Sequence, residues 1–172
     1  NLATNRVSAV LRALQEHLID LYAQGRQVVV LIDEAHAMPA ETLEEIRLLS
    51  NLETDRQKLL QIVLIGQPEL KRMLDDSRLR QLRQRITVRY HLDSLSREET
   101  ELYVYYRLQV AGGNGRPTFS RWAMSRIHRY SKGVPRLINA VCDTSLLAGY
   151  VAGVDHLTGQ LIGRAIRELE GK

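Results

Sequence analysis

Val28-Val29-Val30-Leu31-Ile32-Asp33-Glu34-Ala35-His36 is the most informative segment of the sequence. It opens with five apolar residues, three of them β-branched in a row. An unbroken apolar run, as opposed to an alternating one, predicts a strand covered on both faces, as in a parallel sheet. The run ends in two adjacent carboxylates, at the edge where open α/β sheets bind ligands. A hydrophobic strand ending in aspartate is the Walker B arrangement. In it Asp33 holds Mg²⁺ through the ion's water shell, and Glu34 polarises a water for in-line attack on a γ-phosphate. The competing reading makes the pair solvated turn carboxylates, and the apolar strand before them weighs against it. His36 has no partner histidine at ligand spacing and reads as a surface or loop histidine. His17, His91, His128 and His156 are equally scattered, so no zinc site is expected.

Working outward, residues 6–24 form an amphipathic helix pattern, with Val7, Val10, Leu11, Leu14, Leu18 and Leu21 on one face and Gly25 as its stop. A second helix is expected to begin near Pro39, with Glu41, Glu44 and Glu45 where the helix dipole favours negative charge. Leu43, Ile46, Leu49 and Leu52 supply its apolar stripe. Ile62-Val63-Leu64-Ile65 is the next buried strand, closed by Gly66, and Pro68 starts a helix holding Leu70, Met73 and Leu74. Pro68 also keeps Gln67 extended at the strand tip. If this strand neighbours the first, the Gln67 amide lies beside Glu34 and orients the attacking water. Residues 86–92 alternate in polarity and suit a sheet edge. Helix and strand alternate through residue 92, which predicts an α/β layer structure.

Arg78, Arg80, Arg83, Arg85 and Arg89 fall close together, with no acid between Ser77 and Leu92. Three readings compete: a solvated basic face, a phosphate-backbone site on nucleic acid, and an arginine finger for a neighbouring subunit's γ-phosphate. Beyond Leu95 the strand signals stop. Ser96 and Glu99 form a capping box. Ala123, Ile127 and Tyr130 pattern a second helix of this half, and Pro135 opens a third with Ile138, Val141, Cys142, Ser145 and Gly149 on one face. Asp155 is placed as the cap of a fourth. Arg136 lies in a first helical turn, where a cation opposes the dipole, and pointing at a bound phosphate would account for it.

Composition narrows the classes further. With 172 residues, 44% apolar and 26% charged, the chain is sized for one globular domain or two small lobes. Disorder is excluded, and no apolar run approaches the roughly 20 residues that cross a bilayer. A single cysteine, Cys142, rules out an internal disulfide framework and is compatible with a reducing compartment. Residues 1–94 hold 13 basic and 13 acidic groups, whereas 95–172 hold 11 and 7, so the net charge of +4 belongs to the helical half.

Taken in order, VVVLIDEAH, IRLLSNLETDRQKLLQIVLIGQPEL, LRQLRQRITVRYHL and SKGVPRLINAVCD resemble one family. It is the AAA+ ATPase domain of general secretion pathway protein A and the mannose-sensitive-haemagglutinin (MSHA) type pilus-biogenesis ATPases. The resemblance runs from about Leu11 to Leu169. It implies an α/β fold, a partial AAA+ three-layer parallel-sheet core over residues 1–94, followed by an all-helical lid over 95–172. It implies Asp33 and Glu34 as Walker B residues, with Asp33 toward the metal, Gln67 as sensor 1, Arg83 or Arg85 as the arginine finger, and Arg136 as sensor 2. The cofactors implied are ATP and Mg²⁺. The partners implied are other copies of the chain and secretion or pilus assembly proteins at the inner membrane, from a cytoplasmic location. Transposition ATPases of similar architecture, which act on DNA, are the nearest alternative. A non-catalytic AAA+-derived interaction module is the other.

No G-x-x-x-x-G-K-[ST] loop occurs in these residues, and the only glycine before Gly66 is Gly25. Such a loop supplies the backbone N–H groups that cradle phosphates and the lysine for the β/γ oxygens. The chain therefore reads as the C-terminal part of an AAA+ module. The expectation is that it does not hydrolyse ATP by itself, and that the full-length protein does.

Overall fold

The computed structural model describes residues 2–52 and 58–171, with the side chains of residues 1–7 outside the description. The chain divides into two units, Asn1–Tyr90 and His91–Lys172.

The first unit opens with helix α1 (Leu2–Ala23), followed by Gly25 at φ +72°, the left-handed conformation that stops helices. Leu18 is buried, and Leu14 packs beside it against Leu59 and Leu60. Val10 is exposed, contrary to the stripe expected, because the packing partners gather only under the C-terminal half of the helix. Val7 lies outside the described side chains.

Strand β1 spans Val28–Ile32 as expected. Strand β2 spans Leu60–Leu64, starting two residues earlier than the apolar pattern indicates. The two are parallel, with Val28 opposite Leu60 and Ile32 opposite Leu64. A parallel pair needs a crossover, and helix α2 (Ala40–Leu49) lies in the connection between them. Side chains alternate across a strand. The even-numbered face, with Ile32, Ile62 and Leu64, packs on Leu43 and Ile46 of α2, on Leu70 and Leu74 of helix α3 (Pro68–Leu74), and on Leu82 of helix α4 (Arg80–Arg85). On the odd-numbered face Val29, Leu31 and Val63 are exposed. Val30, on the even-numbered face, is itself 38% exposed, so among the described residues the cover expected on both faces of β1 is partial on one face and missing from the other.

Residues 86–92, expected as an edge strand, form no strand. Val88, Tyr90 and Leu92 do alternate, but all three are exposed. Alternation marks a surface fit for pairing, whereas a strand also needs a neighbour to complete its backbone hydrogen bonds. In this unit β1 and β2 bond only to each other among the described residues.

The second unit contains helices α5 (Arg97–Val110), α6 (Arg121–Ser131), α7 (Pro135–Val151) and α8 (Gly159–Leu169). It is not wholly helical, since β3 (Thr118–Phe119) and β4 (His156–Leu157) make a two-residue parallel pair. That pairing occupies the residues after Asp155, so α8 starts later, with Thr158 at its N-cap. Asp155 instead pairs with Arg116 at 3.1 Å. Ile127, Ile138, Val141 and Ile162 have no exposed surface and form the centre of this core with Phe119, Met124 and Leu157.

The Ser96 capping box is complete: Ser96 Oγ accepts from Glu99 N at 3.2 Å, and Glu99 Oε2 accepts from Ser96 N at 2.8 Å. Ser96→Ala is expected to cost about 1 kcal/mol, read as a lower urea midpoint with unchanged slope. Among the described residues no helix is long and apolar enough to cross a membrane.

Candidate functional site

The parallel register sets the C-terminal ends of β1 and β2 side by side. Ile65 N donates to Ile32 O at 2.8 Å, and Ala35 N donates to Ile65 O at 2.8 Å, so the ladder continues past both strands. Gly66 lies against the turn that comes after β1. A Cβ there would sit 3.3 Å from His36 N and 3.2 Å from Leu70 Cβ, so only a residue without a side chain allows this approach freely.

Asp33 and Glu34 leave the strand in a tight turn. Glu34 holds φ 53° and ψ 31°, a left-handed conformation that costs a non-glycine residue about 1–3 kcal/mol. Its backbone N–H donates to Asp33 Oδ1 at 2.8 Å. That bond engages one carboxylate oxygen of Asp33, and among the described residues the other has no hydrogen bond or ion pair. Both carboxylates are exposed, Glu34 at 65%. Gln67 is held extended at φ −69° and ψ 169° before Pro68, with its side chain exposed at the tip of β2. The register thus brings Asp33, Glu34 and Gln67 to one end of the parallel pair.

His36 belongs to the same cluster, and reading it as an isolated loop histidine misses this. It sits in a 3-10 turn (Ala35–Ala37), and its side chain is only 17% exposed. Nδ1 accepts from the Gln67 backbone N–H at 3.3 Å, and Nε2 lies 3.4 Å from Glu34 Oε2. Its two-residue spacing from Glu34, set beside Gly66-Gln67-Pro68 on the next strand, was the available signal.

Among the described residues no three His, Cys, Asp or Glu side chains gather into a metal cage. Mg²⁺ does not require one. It keeps several waters and takes one or two carboxylates together with substrate phosphates. The uncommitted oxygen of Asp33 fits that role, for an ion arriving with its nucleotide.

The arginine stretch is less basic than its sequence. Asp75 and Asp76 immediately precede it, and the 3-10 turn Ser77–Leu79 folds them back onto it. Arg78 bonds Asp76 at 2.9 Å, and these hydrogen bonds hold the Asp76 carboxyl below the usual carboxylate range. Arg83 pairs with Asp75 at 3.2 Å, and Arg89 donates to the Arg83 carbonyl at 3.3 Å. Arg80 and Arg85 are exposed, with no ion pair among the described residues.

In the second unit Arg136 is exposed in the first turn of α7, directly after Pro135. Cys142 is buried, and burial pushes its thiol up to about 12, which removes it as a nucleophile near neutral pH.

Comparison with known proteins agrees with this fold. Residues 1–74 match the family model for an AAA domain. The ORC2 protein of Aeropyrum pernix, in its ADP form, superimposes with a TM-score of 0.65 over 90% of this chain and 43% of that one, at 17% identity. A RuvB point mutant of Thermotoga maritima gives 0.62 over 89% and 50%, at 18% identity. Likeness at such identity shows the fold alone. The match over residues 1–74 supports an AAA+ ATPase domain fragment.

The sequence is similar to general secretion pathway protein A of Aeromonas hydrophila, at 49% identity over 158 residues. The match takes in 92% of this chain and 29% of that protein, so the chain spans less than a third of that relative's length.

Proposed function

We propose that this chain supplies the Walker B and sensor residues of an ATPase that drives assembly of a type II secretion or type IV/MSHA pilus machine. The observation that carries the reading is the meeting of Asp33, Glu34 and Gln67 at one end of a parallel strand pair. A phosphate loop from the intact protein would complete the site. Bound Mg²⁺ would neutralise phosphate charge. Asp33 would hold that ion through water, Glu34 would take the proton of the attacking water, and Gln67 would orient that water. Arg136 would sense the γ-phosphate from the lid. The likeness to general secretion pathway protein A supports a role in secretion, and work at the cytoplasmic face of the inner membrane is part of the same proposal.

The ion pairs favour Arg85 over Arg83 as the finger. Arg83 is held by Asp75, whereas Arg85 is exposed and unpaired among the described residues, so Arg85 is the residue free to reach another subunit. Pairing of Arg78 and Arg83 with aspartates also lowers the positive charge available to DNA, which favours the assembly reading over the transposition-type one.

The test is Mg²⁺-dependent ATP turnover by the intact protein. Arg85→Ala is expected to lower kcat about 10³-fold, in line with other arginine fingers. Arg83→Ala is expected to leave turnover within a few-fold. Turnover should return when Arg85→Ala subunits are mixed with Glu34→Gln subunits, because each donates what the other lacks. Absence of any turnover in the intact protein would overturn the reading in favour of a non-catalytic module. Affinity for DNA falling steeply with salt would favour the transposition-type ATPase.

A further inference from the structure

His36 connects the two strand tips, and neither the fold nor the assigned roles of Asp33, Glu34 and Gln67 requires it to. Its ring is largely buried, yet among the described residues it belongs to no metal-holding group and to no hydrophobic cluster. Each ring nitrogen faces a residue from a different strand end: Nδ1 receives the Gln67 backbone N–H, and Nε2 faces the Glu34 carboxylate at 3.4 Å. A neutral imidazole carries one proton. Because Nδ1 accepts a backbone N–H, the proton of the neutral ring belongs on Nε2, the nitrogen that lies 3.4 Å from Glu34 Oε2. The bond the first nitrogen makes therefore decides what the second offers.

We infer that His36 is a positioning residue, which holds the Glu34 carboxylate in place and ties that placement to the Gln67 end of β2. Glu34 is the reason such a hold is needed. Its backbone is left-handed and its side chain is 65% exposed, so an unassisted carboxylate would sample many rotamers. The contact to Nε2 selects among them. The contact from Gln67 orients the ring, and Gln67 is itself the residue assigned to the attacking water. A movement of the β2 tip would therefore reach Glu34 through a single imidazole. This inference rests on the proposed role of Glu34 as the group that takes the water's proton.

Two measurements on the intact protein test it. The first needs no functional change: ¹⁵N labelling of histidine, with His36→Ala used only to assign the signal, reads which ring nitrogen of His36 bears hydrogen. Hydrogen on Nε2 and none on Nδ1 is the expected result, and a ring protonated at Nδ1 overturns the inference. The second separates turnover from binding. His36→Ala is expected to lower kcat about 10- to 100-fold, the range for losing an orienting partner, with nucleotide affinity within about twofold. His36→Gln, whose amide N–H₂ occupies the place of Nε2, should recover most of that loss. His36→Asn, which mimics only Nδ1, should not. Equal rates in wild type and His36→Ala, where Glu34→Gln is dead, would sink the inference and spare the proposed function. Survival of turnover in Glu34→Gln would sink the proposed function itself.

Discussion

Glu34→Gln in the intact protein is expected to lower ATP turnover by about 10²–10⁴-fold while nucleotide affinity changes by no more than a few-fold. The substitution preserves shape and removes only the ability to accept a proton. It should carry little folding cost, because the Glu34 side chain is 65% exposed and, among the described residues, pairs only with His36. Its backbone N–H donates to Asp33 Oδ1 at 2.8 Å, a bond that glutamine makes equally well. An interaction used in the transition state alone appears as a loss in kcat and in kcat/KM together. Steady-state phosphate release, set beside binding of a fluorescent nucleotide, reads the two quantities separately. Asp33→Asn should behave differently: its loss falls on the Mg²⁺ requirement, so the concentration of Mg²⁺ giving half-maximal rate should rise. Equal sensitivity of both variants to Mg²⁺ would overturn the division of labour between the two carboxylates.

How far this site could be read from residue order differs from one side chain to the next. Asp33 and Glu34 are legible because a strand of β-branched residues must end somewhere, and the residues just past its end lie at the ligand edge of a parallel sheet. Gln67 is legible because Pro68 fixes it in an extended conformation. His36 is legible only in part: Glu34 lies two residues away, but the contact with Gln67 depends on the register that sets Ile32 opposite Leu64, which sequence does not encode directly. The same limit explains residues 86–92. Val88, Tyr90 and Leu92 carry the alternation of a strand, but pairing requires a neighbour, and the described residues provide none. The arginine stretch misleads for a related reason. Counting forward from Ser77 finds no acid, yet a single 3-10 turn brings Asp75 and Asp76 back onto Arg83 and Arg78. Local spacing locates elements that make their own hydrogen bonds, such as the Ser96 capping box, and fails where the partner comes from another part of the chain.

Gly133→Ala is expected to destabilise the second unit by about 3 kcal/mol or more, placing it among the most damaging single substitutions available to this chain. Gly133 has φ +78°, where an alanine Cβ alone costs about 1 kcal/mol. The larger part is steric. A Cβ there would lie 1.9 Å from the Leu95 carbonyl oxygen and 2.7 Å from the Leu95 nitrogen, and backbone atoms cannot swing aside as a side chain can. Relief requires separating the two segments, which breaks the Leu95 N–H bond to Gly133 O at 2.9 Å and exposes two backbone polar groups. Gly153 provides the control, since it has φ +66° but no atom within 4 Å of the added Cβ. Gly153→Ala should therefore cost about 1 kcal/mol, from conformation alone. Urea unfolding monitored by circular dichroism compares the two, and equal losses would show that the Leu95 contact carries no energy. The position also bears on function. Gly133 stands three residues before Arg136, at the turn that aims the first turn of α7. A less drastic change in the same turn, Lys132→Gly, relieves the left-handed φ of +50° at that residue and should raise stability by a few tenths of a kcal/mol to about 1 kcal/mol while leaving Arg136 in place.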